Sequence, residues 1–294
     1  MDEKLYCFRL EDPSGEFEPA TELLDALELQ YSSFFDRENM TVIHTVYAES
    51  PSEAQTLLDS VVAMLPLWRE MEVELIPGTI FELEKNEWAN AWKKYFRPVE
   101  ISPTLLVTPA WMEPEVKPEQ TVLKIDTGMS FGTGQHPTTF YCLKKIDQFA
   151  PEISSMLDAG CGSGILAVAA VLRGVEYVEG FDFDPEAVEM SRQNQQLNAL
   201  APDSIKWACG DAGNYPGIPE KYDLVCANIL GHLLITFRFN IASWVKPEGK
   251  LVLAGILKSD FDKVSGSFAE LGFAELERET IGEWTGGLFA WKKG

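Results

Sequence analysis

The twenty residues Ser155–Gly174, "SMLDAGCGSGILAVAAVLRG", predict a strand, a glycine-rich turn and a helix in direct succession. Residues 156–159 are typical of a buried strand, and residues 165–172 are small aliphatic residues typical of a buried helix that ends at Gly174. At such a turn the amides of a helix N-terminus face a ligand, and a backbone without Cβ atoms lets the ligand come close. The residues that provide this bare backbone are Gly160, Gly162 and Gly164.

The spacing of these glycines separates two classes of cofactor site. A dinucleotide-binding turn has the pattern G-x-G-x-x-G, which would need glycine at the position of Ile165. The pattern found is G-x-G-x-G, preceded by Asp158. This arrangement is associated with S-adenosylmethionine, which has a charged amino-acid tail and no pyrophosphate. The turn therefore predicts an S-adenosylmethionine site that includes Asp158 and the three glycines.

Acidic residues at the ends of the next two predicted strands extend this site. Asp182 lies near the end of "YVEGFDFD", roughly twenty residues after the turn, where a carboxylate can accept hydrogen bonds from both ribose hydroxyls. Asp211 closes "SIKWACGD", a position from which a carboxylate can reach the adenine amino group. The alternative interpretation of the glycines, a tight structural turn, is weakened by the acidic strand end.

The fourth strand-like segment ends in "DLVCANIL", which places Asn228 at the carboxyl end of a strand, where ligands bind in parallel sheets. Its amide oxygen could accept a hydrogen bond from an amine and align the nitrogen lone pair with the methyl group of the cofactor. The alternative is that Asn228 caps the helix that begins near Gly231.

The segment "DTGMSFGTGQHPTT", Asp126–Thr139, is too rich in glycine and hydroxyl groups for a strand. We interpret it as a loop that arches over the methyl donor. In this interpretation Phe131 packs near the sulfonium, and Thr139 lies close to the amino-acid tail of the cofactor.

The pattern of strands and helices predicts two domains of different architecture. From residue 119 onward, strand, loop and helix alternate, which is typical of an α/β doubly wound, Rossmann-like sheet. The strand-like segments are "TVLKID", "SSMLDAG", "YVEGFDFD", "SIKWACGD", "YDLVCANIL" and "KLVLAGI". We therefore place the catalytic domain at residues 119–294.

Residues 1–80 predict a small ferredoxin-like α+β domain, because the pattern is β-α-β-β-α-β. Its second helix has a clear start signal, in which Ser50 caps and Glu53 completes an S-x-x-E box. Residues 81–118 are interpreted as a linker helix and a connector. The linker helix is indicated by Trp88, Trp92 and Phe96, which recur at helical spacing.

The charge of the chain limits its partners. The net charge is -22, from 24 basic and 46 acidic residues, which disfavours a nucleic-acid partner. Residues 1–90 have 5 basic and 20 acidic residues, a net charge of -15, which suits either a solvated surface or docking of a basic protein.

No long apolar run or signal-like start is present, so we expect a cytoplasmic protein without membrane contact. Five scattered cysteines and three distant histidines predict no metal site.

At these motifs the sequence resembles the PrmA-type methyltransferases of large-subunit ribosomal protein eleven, which belong to the class I methyltransferases. The resemblance covers nearly the whole chain and rests on "WANAWKKYFRP", "DTGMSFGTGQHPTT", "DAGCGSGILAVAA", "GFDFDPEAV" and "ANIL". It implies methylation of lysine side chains and N-terminal amines, and a ferredoxin-like domain that binds the ribosomal protein. It also implies that Thr139, Gly160, Asp182 and Asn228 contact the cofactor. The chain departs from the pattern at Thr127, where proline is usual, and in "ILGHLL" after Asn228.

Three other functions are compatible with parts of this pattern. The first is lysine methylation of a different protein, because the docking domain selects the partner. The second is methylation of nucleic-acid amino groups, against which stand the acidic charge and the Ile229 and Leu230 that follow Asn228. The third is a non-catalytic scaffold that binds S-adenosylmethionine.

Overall fold

The computed structural model describes residues 4–27, 29–36, 39–84, 97–126, 136–215 and 217–292. The chain divides into two compact units, Met1–Phe96 and Arg97–Gly294. This division differs from the sequence-based boundaries, because residues 81–84 add a strand to the sheet of the first unit and residues 99–109 contribute two strands to the second. The predicted linker helix around Trp88 and Trp92 lies outside the described residues.

The first unit has the predicted element order β-α-β-β-α-β, followed by one additional strand. Its elements are β1 (Lys4–Asp12), α1 (Ala20–Ala26), β2 (Tyr31–Asp36), β3 (Thr41–Ala48), α2 (Pro51–Glu70), β4 (Ile76–Pro77) and β5 (Phe81–Glu84). The strand order is β2-β3-β1-β4, every pairing is antiparallel, and β5 also pairs with β1.

Local signals explain where α2 begins, and apolar side chains hold it on the sheet. The Glu53 amide donates to Ser50 Oγ at 3.2 Å, and the Glu53 carboxylate accepts from the Glu49 amide at 2.9 Å. This is the predicted S-x-x-E box. The core between helices and sheet includes Phe8, Leu24, Val46, Val61 and Trp68, all of them buried.

The second unit contains ten strands and six helices within its described residues. The strands are β6 (Val99–Ser102), β7 (Leu105–Pro109), β8 (Thr121–Ile125), β9 (Ser155–Ala159), β10 (Tyr177–Asp182), β11 (Ile205–Cys209), β12 (Tyr222–Asn228), β13 (Val245–Leu257), β14 (Phe273–Ile281) and β15 (Trp284–Trp291). The helices are α3 (Pro137–Phe149), α4 (Ile165–Leu172), α5 (Pro185–Leu197), α6 (Gly231–Thr236), α7 (Arg238–Trp244) and α8 (Phe261–Ala269), and a short 3-10 turn spans Ala150–Glu152.

Seven of these strands form the doubly wound sheet that the sequence predicts. Their order is β11-β10-β9-β12-β13-β15-β14. The strands from β11 to β13 are parallel, and β15 is antiparallel to both of its neighbours. The chain reverses its direction of travel across the sheet between β9 and β12, and ligands bind at the carboxyl ends of strands at such a switch point. Among the helices in the described parts of both units, none is long and apolar enough to cross a membrane.

The position of β8 corrects one expectation. "TVLKID" forms a strand, but that strand belongs to a separate three-stranded sheet, β6-β7-β8, and not to the doubly wound sheet. One cause is Asn198, which follows α5: its Oδ1 accepts from the Lys124 amide at 2.8 Å and its Nδ2 donates to the Lys124 carbonyl at 2.7 Å. This side-chain amide takes the place of a neighbouring strand along the edge of β8.

The last two strands are not predicted from the sequence. β14 and β15 form an antiparallel hairpin that completes the edge of the large sheet. Residues of β14 between Glu275 and Thr280 are polar or exposed, so this strand lacks the apolar run by which the buried parallel strands are recognised.

Candidate active site

The glycine turn between β9 and α4 is fixed by backbone geometry and by close neighbours. Gly160, Gly162 and Gly164 have φ angles of 78°, 52° and 76°, in the left-handed region that favours glycine. A Cβ atom on Gly160 would lie 2.4 Å from the side chain of Ile229, and one on Gly164 would lie 2.8 Å from Ser191. The turn therefore needs glycine for its own structure as well as for any ligand.

Asp182 links this turn to the end of β10. Its Oδ2 accepts a hydrogen bond from the Gly162 amide at 2.9 Å, and its Oδ1 accepts from the Asp184 amide at 3.1 Å. An ionised carboxylate has about four lone-pair sites, so two remain for further donors. The buried Asp182 carboxylate thus orders the glycine turn and retains the capacity to accept two hydroxyl groups.

Asp158 is a fully buried carboxylate with one oxygen unused by the described residues. Its Oδ2 accepts from the Ala167 amide at 3.2 Å, whereas Oδ1 has no partner among those residues. Burial raises the pKa of Asp158 from 3.8 to about 7; the Ala167 hydrogen bond opposes this rise and the charge of Asp182 adds to it. A buried acceptor without a donor is costly unless a ligand supplies one. The ammonium group in the tail of S-adenosylmethionine would be such a donor, so these residues fit the cofactor.

The raised pKa of Asp158 predicts a pH-dependent cost to the unliganded protein. The unfolded chain releases the Asp158 proton near pH 3.8 and the folded chain near pH 7, so stability falls as the pH rises between these values. Asp158→Asn removes this cost. As the pH is raised from about 5.5 to about 8, the unfolding free energy of wild type should fall by about 2 kcal/mol relative to that of the variant. The measurement is urea unfolding without cofactor at each pH.

The control for this prediction is Asp223→Asn. Burial tends to raise the pKa of Asp223, but hydrogen bonds from Lys246, Ser155 and Ser154 outweigh burial and lower it to about 2. Asp223 therefore stays ionised throughout this pH range, and its replacement should change stability by an amount that does not vary with pH. An equal, pH-independent effect of both substitutions would contradict the assignment of a raised pKa to Asp158.

Thr139 precedes the glycine turn in the sequence and Asn228 follows it, and the fold brings the two side chains together. Asn228 Nδ2 lies 3.4 Å from Thr139 Oγ1, at hydrogen-bonding distance, and Thr139 is buried on the first turn of α3. Asn228 Oδ1 is buried and has no partner among the described residues. α6 begins after Leu230 and has no side-chain cap, so the capping alternative for Asn228 is wrong. The amide oxygen is thus available to accept a hydrogen bond from a ligand.

Asp211 lies in the loop that follows β11, two residues after Cys209. Its Oδ1 accepts from the amides of Gly213 and Asn214 at 2.6 and 3.0 Å, and its Oδ2 accepts from Asn214 Nδ2 at 3.2 Å. The Gly210 amide donates to the Asp182 carbonyl at 2.8 Å, which ties this loop to the end of β10. Asp211 is exposed, so its carboxylate remains accessible to a ligand.

The predicted catalytic residue Phe131 lies outside the described residues, as does most of the loop from Asp126 to Thr139. The structure describes the two ends of that loop. The Asp126 amide donates to Asn194 Oδ1 at 2.9 Å, and His136 caps α3 by accepting a hydrogen bond from the Thr138 amide.

Two polar residues of α5 that the sequence analysis does not single out support the glycine turn. Ser191 Oγ donates to the Gly162 carbonyl and Asn194 Nδ2 donates to the Ser163 carbonyl, both at 2.9 Å. The available sequence signal is weak, because "EMSRQNQQLN" is polar apart from Met190 and Leu197. Only the helical spacing from Val188 to Ser191 and Asn194 marks the buried face.

Comparisons with known proteins identify the relatives of this chain. A model of the family described as "Ribosomal protein L11 methyltransferase (PrmA)" matches residues 18–290. A relative of that name from Exiguobacterium is 33% identical over 240 residues, which are 81% of this chain and 76% of the relative. One from Streptococcus uberis is 35% identical over 258 residues, 86% of this chain and 79% of the relative. A crystal structure of a ribosomal protein L11 methylase from Lactobacillus delbrueckii subsp. bulgaricus has a TM-score of 0.62 and 26% identity, over 67% of this chain and 100% of that one.

Proposed function

Since this chain belongs to the ribosomal protein L11 methyltransferase family and is therefore an S-adenosylmethionine-dependent methyltransferase, we propose that it methylates amino groups of ribosomal protein L11. The family membership confirms the resemblance found in the motifs. The observation in the structure that best supports amine methylation is the buried oxygen of Asn228 beside Thr139, at the carboxyl end of β12, which has no partner among the described residues. The amines in this proposal are lysine side chains, the N-terminal amine, or both.

The cofactor would be held by residues at the carboxyl ends of β9, β10 and β11. In this proposal Asp158 accepts from the ammonium group of the amino-acid tail, near Thr139, and Asp182 accepts from the ribose hydroxyls. The glycines of the turn allow the cofactor to approach the backbone, and Asp211 accepts from the adenine amino group. When bound, S-adenosylmethionine supplies a methyl group that its sulfonium activates for in-line transfer to an amine.

Asn228 would orient the amine for this transfer. Its Oδ1 can accept one N–H hydrogen, which directs the nitrogen lone pair away from Asn228, and this orientation accounts for a large part of the rate enhancement. An amide oxygen is not basic enough to take the proton of a lysine, whose reference pKa is about 10.4. We propose that this proton is lost to water and that burial of the amine favours its neutral form.

The first unit would select the protein substrate. Residues 1–90 have a net charge of -15, and complementary charge speeds the encounter with a basic protein, an effect that salt screens. The same acidity disfavours a nucleic-acid substrate, and we propose that the enzyme acts on protein in the cytoplasm.

Removal of the first unit tests this division of roles. A truncated chain that begins at Arg97 keeps all strands of the second unit, whereas a start near Ile80 would retain β5 without its partner β1. The truncated chain should bind S-adenosylmethionine as the full chain does, because Asp158, Asp182 and Asn228 are retained. It should lose at least about tenfold in methyl transfer to intact ribosomal protein L11, measured with labelled cofactor.

Two further measurements complete the test. Activity of the full chain on ribosomal protein L11 should fall as salt is raised, since the Debye length is about 8 Å at physiological ionic strength. Methyl transfer in a whole extract would reveal a different protein target, and absence of transfer to any protein would support the scaffold alternative. Full, salt-independent activity of the truncated chain would instead place substrate selection in the second unit.

A further inference from the structure

A buried carboxylate on β10 lies outside the proposed cofactor site and connects several elements. Glu179 is 9% exposed and accepts hydrogen bonds from the hydroxyls of Tyr215, Tyr222 and Tyr177 and from Lys221. The Tyr215 bond measures 2.7 Å and the Lys221 bond 3.1 Å. Of these donors, Tyr177 is on β10 itself and Tyr222 begins β12. Tyr215 and Lys221 lie in the segment between β11 and β12, and Tyr215 belongs to the turn that carries Asp211.

Tyr215 is attached to β10 at two points. Its hydroxyl donates to Glu179, and its ring stacks on Phe181 with 4.1 Å between centroids and 15° between planes. Trp244 of α7 contacts both rings edge-on, with centroids 5.7 Å from Tyr215 and 5.6 Å from Phe181. Phe181 directly precedes Asp182. The tyrosine is therefore fixed to the strand segment that presents the proposed ribose-binding carboxylate.

Tyr215 also closes the turn that carries Asp211. The amides of Tyr215 and Asn214 donate to the Asp211 carbonyl at 2.8 and 3.1 Å, and the Asp211 carboxylate accepts from the amides of Gly213 and Asn214. Asp211 and Tyr215 are thus the two ends of one hydrogen-bonded turn. The attachment of Tyr215 to β10 therefore helps to fix the carboxylate of Asp211, together with the hydrogen bond from the Gly210 amide to the Asp182 carbonyl.

We propose that Glu179 and Tyr215 are positioning residues that anchor the turn at residues 210–215, so that Asp211 can accept a hydrogen bond from the amino group of the cofactor's adenine. This inference rests on the proposed role of Asp211. Glu179 is buried outside the proposed cofactor site and would still contribute to cofactor recognition, because it holds the turn in place through Tyr215.

The charge of Glu179 suits this anchoring role. Burial tends to raise the pKa of Glu179, but hydrogen bonds from Tyr222, Tyr215 and Lys221 outweigh burial, and the pKa is lowered. The carboxylate therefore remains ionised near neutral pH. Hydrogen bonds to an ionised acceptor are stronger than those between neutral groups, which suits an anchor for a loop that is otherwise partly exposed.

The experiment compares two ligands that differ only at the base. S-adenosylhomocysteine has the adenine amino group, and S-inosylhomocysteine has an oxygen in its place. Wild-type enzyme should bind the adenine ligand more tightly, because the oxygen cannot donate to Asp211. Tyr215→Phe removes the hydroxyl and keeps the ring on Phe181. In this variant the logarithm of the ratio of the two dissociation constants should fall to about half of its wild-type value or less. Turnover at saturating cofactor should stay within about twofold of wild type.

Tyr177→Phe is the matched control. It removes a hydroxyl that donates to the same carboxylate, but Tyr177 is on β10 and not in the turn with Asp211. Calorimetric binding should show wild-type discrimination in this variant. An equal loss in Tyr177→Phe and Tyr215→Phe, or wild-type discrimination in both, would overturn the proposal.

Asp211→Ala separates this proposal from the one on which it rests. The variant should bind the two ligands with nearly equal affinity. If it does and Tyr215→Phe still discriminates as wild type does, Asp211 recognises adenine without the anchor and the inference is overturned alone. If Asp211→Ala discriminates as wild type does, the proposed role of Asp211 is overturned, and the inference with it.

Discussion

Asp182→Ala is expected to weaken the binding of S-adenosylmethionine at least about a hundredfold. In the proposed site the substitution would remove two charge-assisted hydrogen bonds to the ribose hydroxyls, each worth about 1.5–3 kcal/mol, and about 1.4 kcal/mol corresponds to a tenfold change in affinity. It also removes the acceptor for the Gly162 amide, so the glycine turn loses one of its attachments to β10. The measurement is the calorimetric dissociation constant of the cofactor.

Asp184→Ala is the control for this loss. Asp184 is two residues further along and caps α5, where its side chain accepts from the Glu186 amide at 2.8 Å. Its replacement should cost about 0.5–2 kcal/mol of stability and leave the dissociation constant within about twofold of wild type. A dissociation constant in Asp182→Ala equal to that of Asp184→Ala would show that Asp182 does not bind the ribose.

Asn228→Ala is expected to lower kcat about a hundredfold with a much smaller effect on cofactor affinity. The amide oxygen would act on the amine chiefly in the transition state, and an interaction made there affects kcat more than binding. Loss of alignment by about 1 Å can cost about a hundredfold in rate. Single-turnover methylation of ribosomal protein L11 at saturating cofactor measures this effect, and calorimetry measures the affinity.

Asn198→Ala supplies the matched comparison, because Asn198 is an asparagine with a structural role. Its side chain bonds both backbone groups of Lys124 in β8. Its loss should lower the unfolding free energy by about 1–3 kcal/mol and leave turnover of the folded enzyme unchanged. Near-normal turnover of Asn228→Ala at saturating cofactor would show that Asn228 does not orient the amine. Its role would then be limited to the contact with Thr139.

The features that could be predicted from the sequence are those made by residues close together in the chain. The S-x-x-E box of Ser50 and Glu53 and the cap of α5 at Asp184 each join groups within three residues. The glycine turn could be recognised because positive φ angles restrict the choice of residue at each position. Buried parallel strands such as β9 and β12 appear as apolar runs, so the doubly wound sheet could be predicted, and with it the edge at which Asp182 and Asn228 lie.

The remaining features depend on contacts between distant parts of the chain. Asn198 binds the edge of β8, 74 residues away, so that this edge is occupied by a side chain in a strand that the sequence alone assigns to the large sheet. Asp158 is buried beneath α4, which raises its pKa and leaves one oxygen without a partner in the described part of the chain, and Tyr215 reaches Glu179 across 36 residues. The residue types at the strand ends can be read from the chain alone. Which of their polar atoms are already bonded, and which remain free for a ligand, was decided only by the tertiary structure, because desolvation and hydrogen-bond partners depend on every element packed around a group.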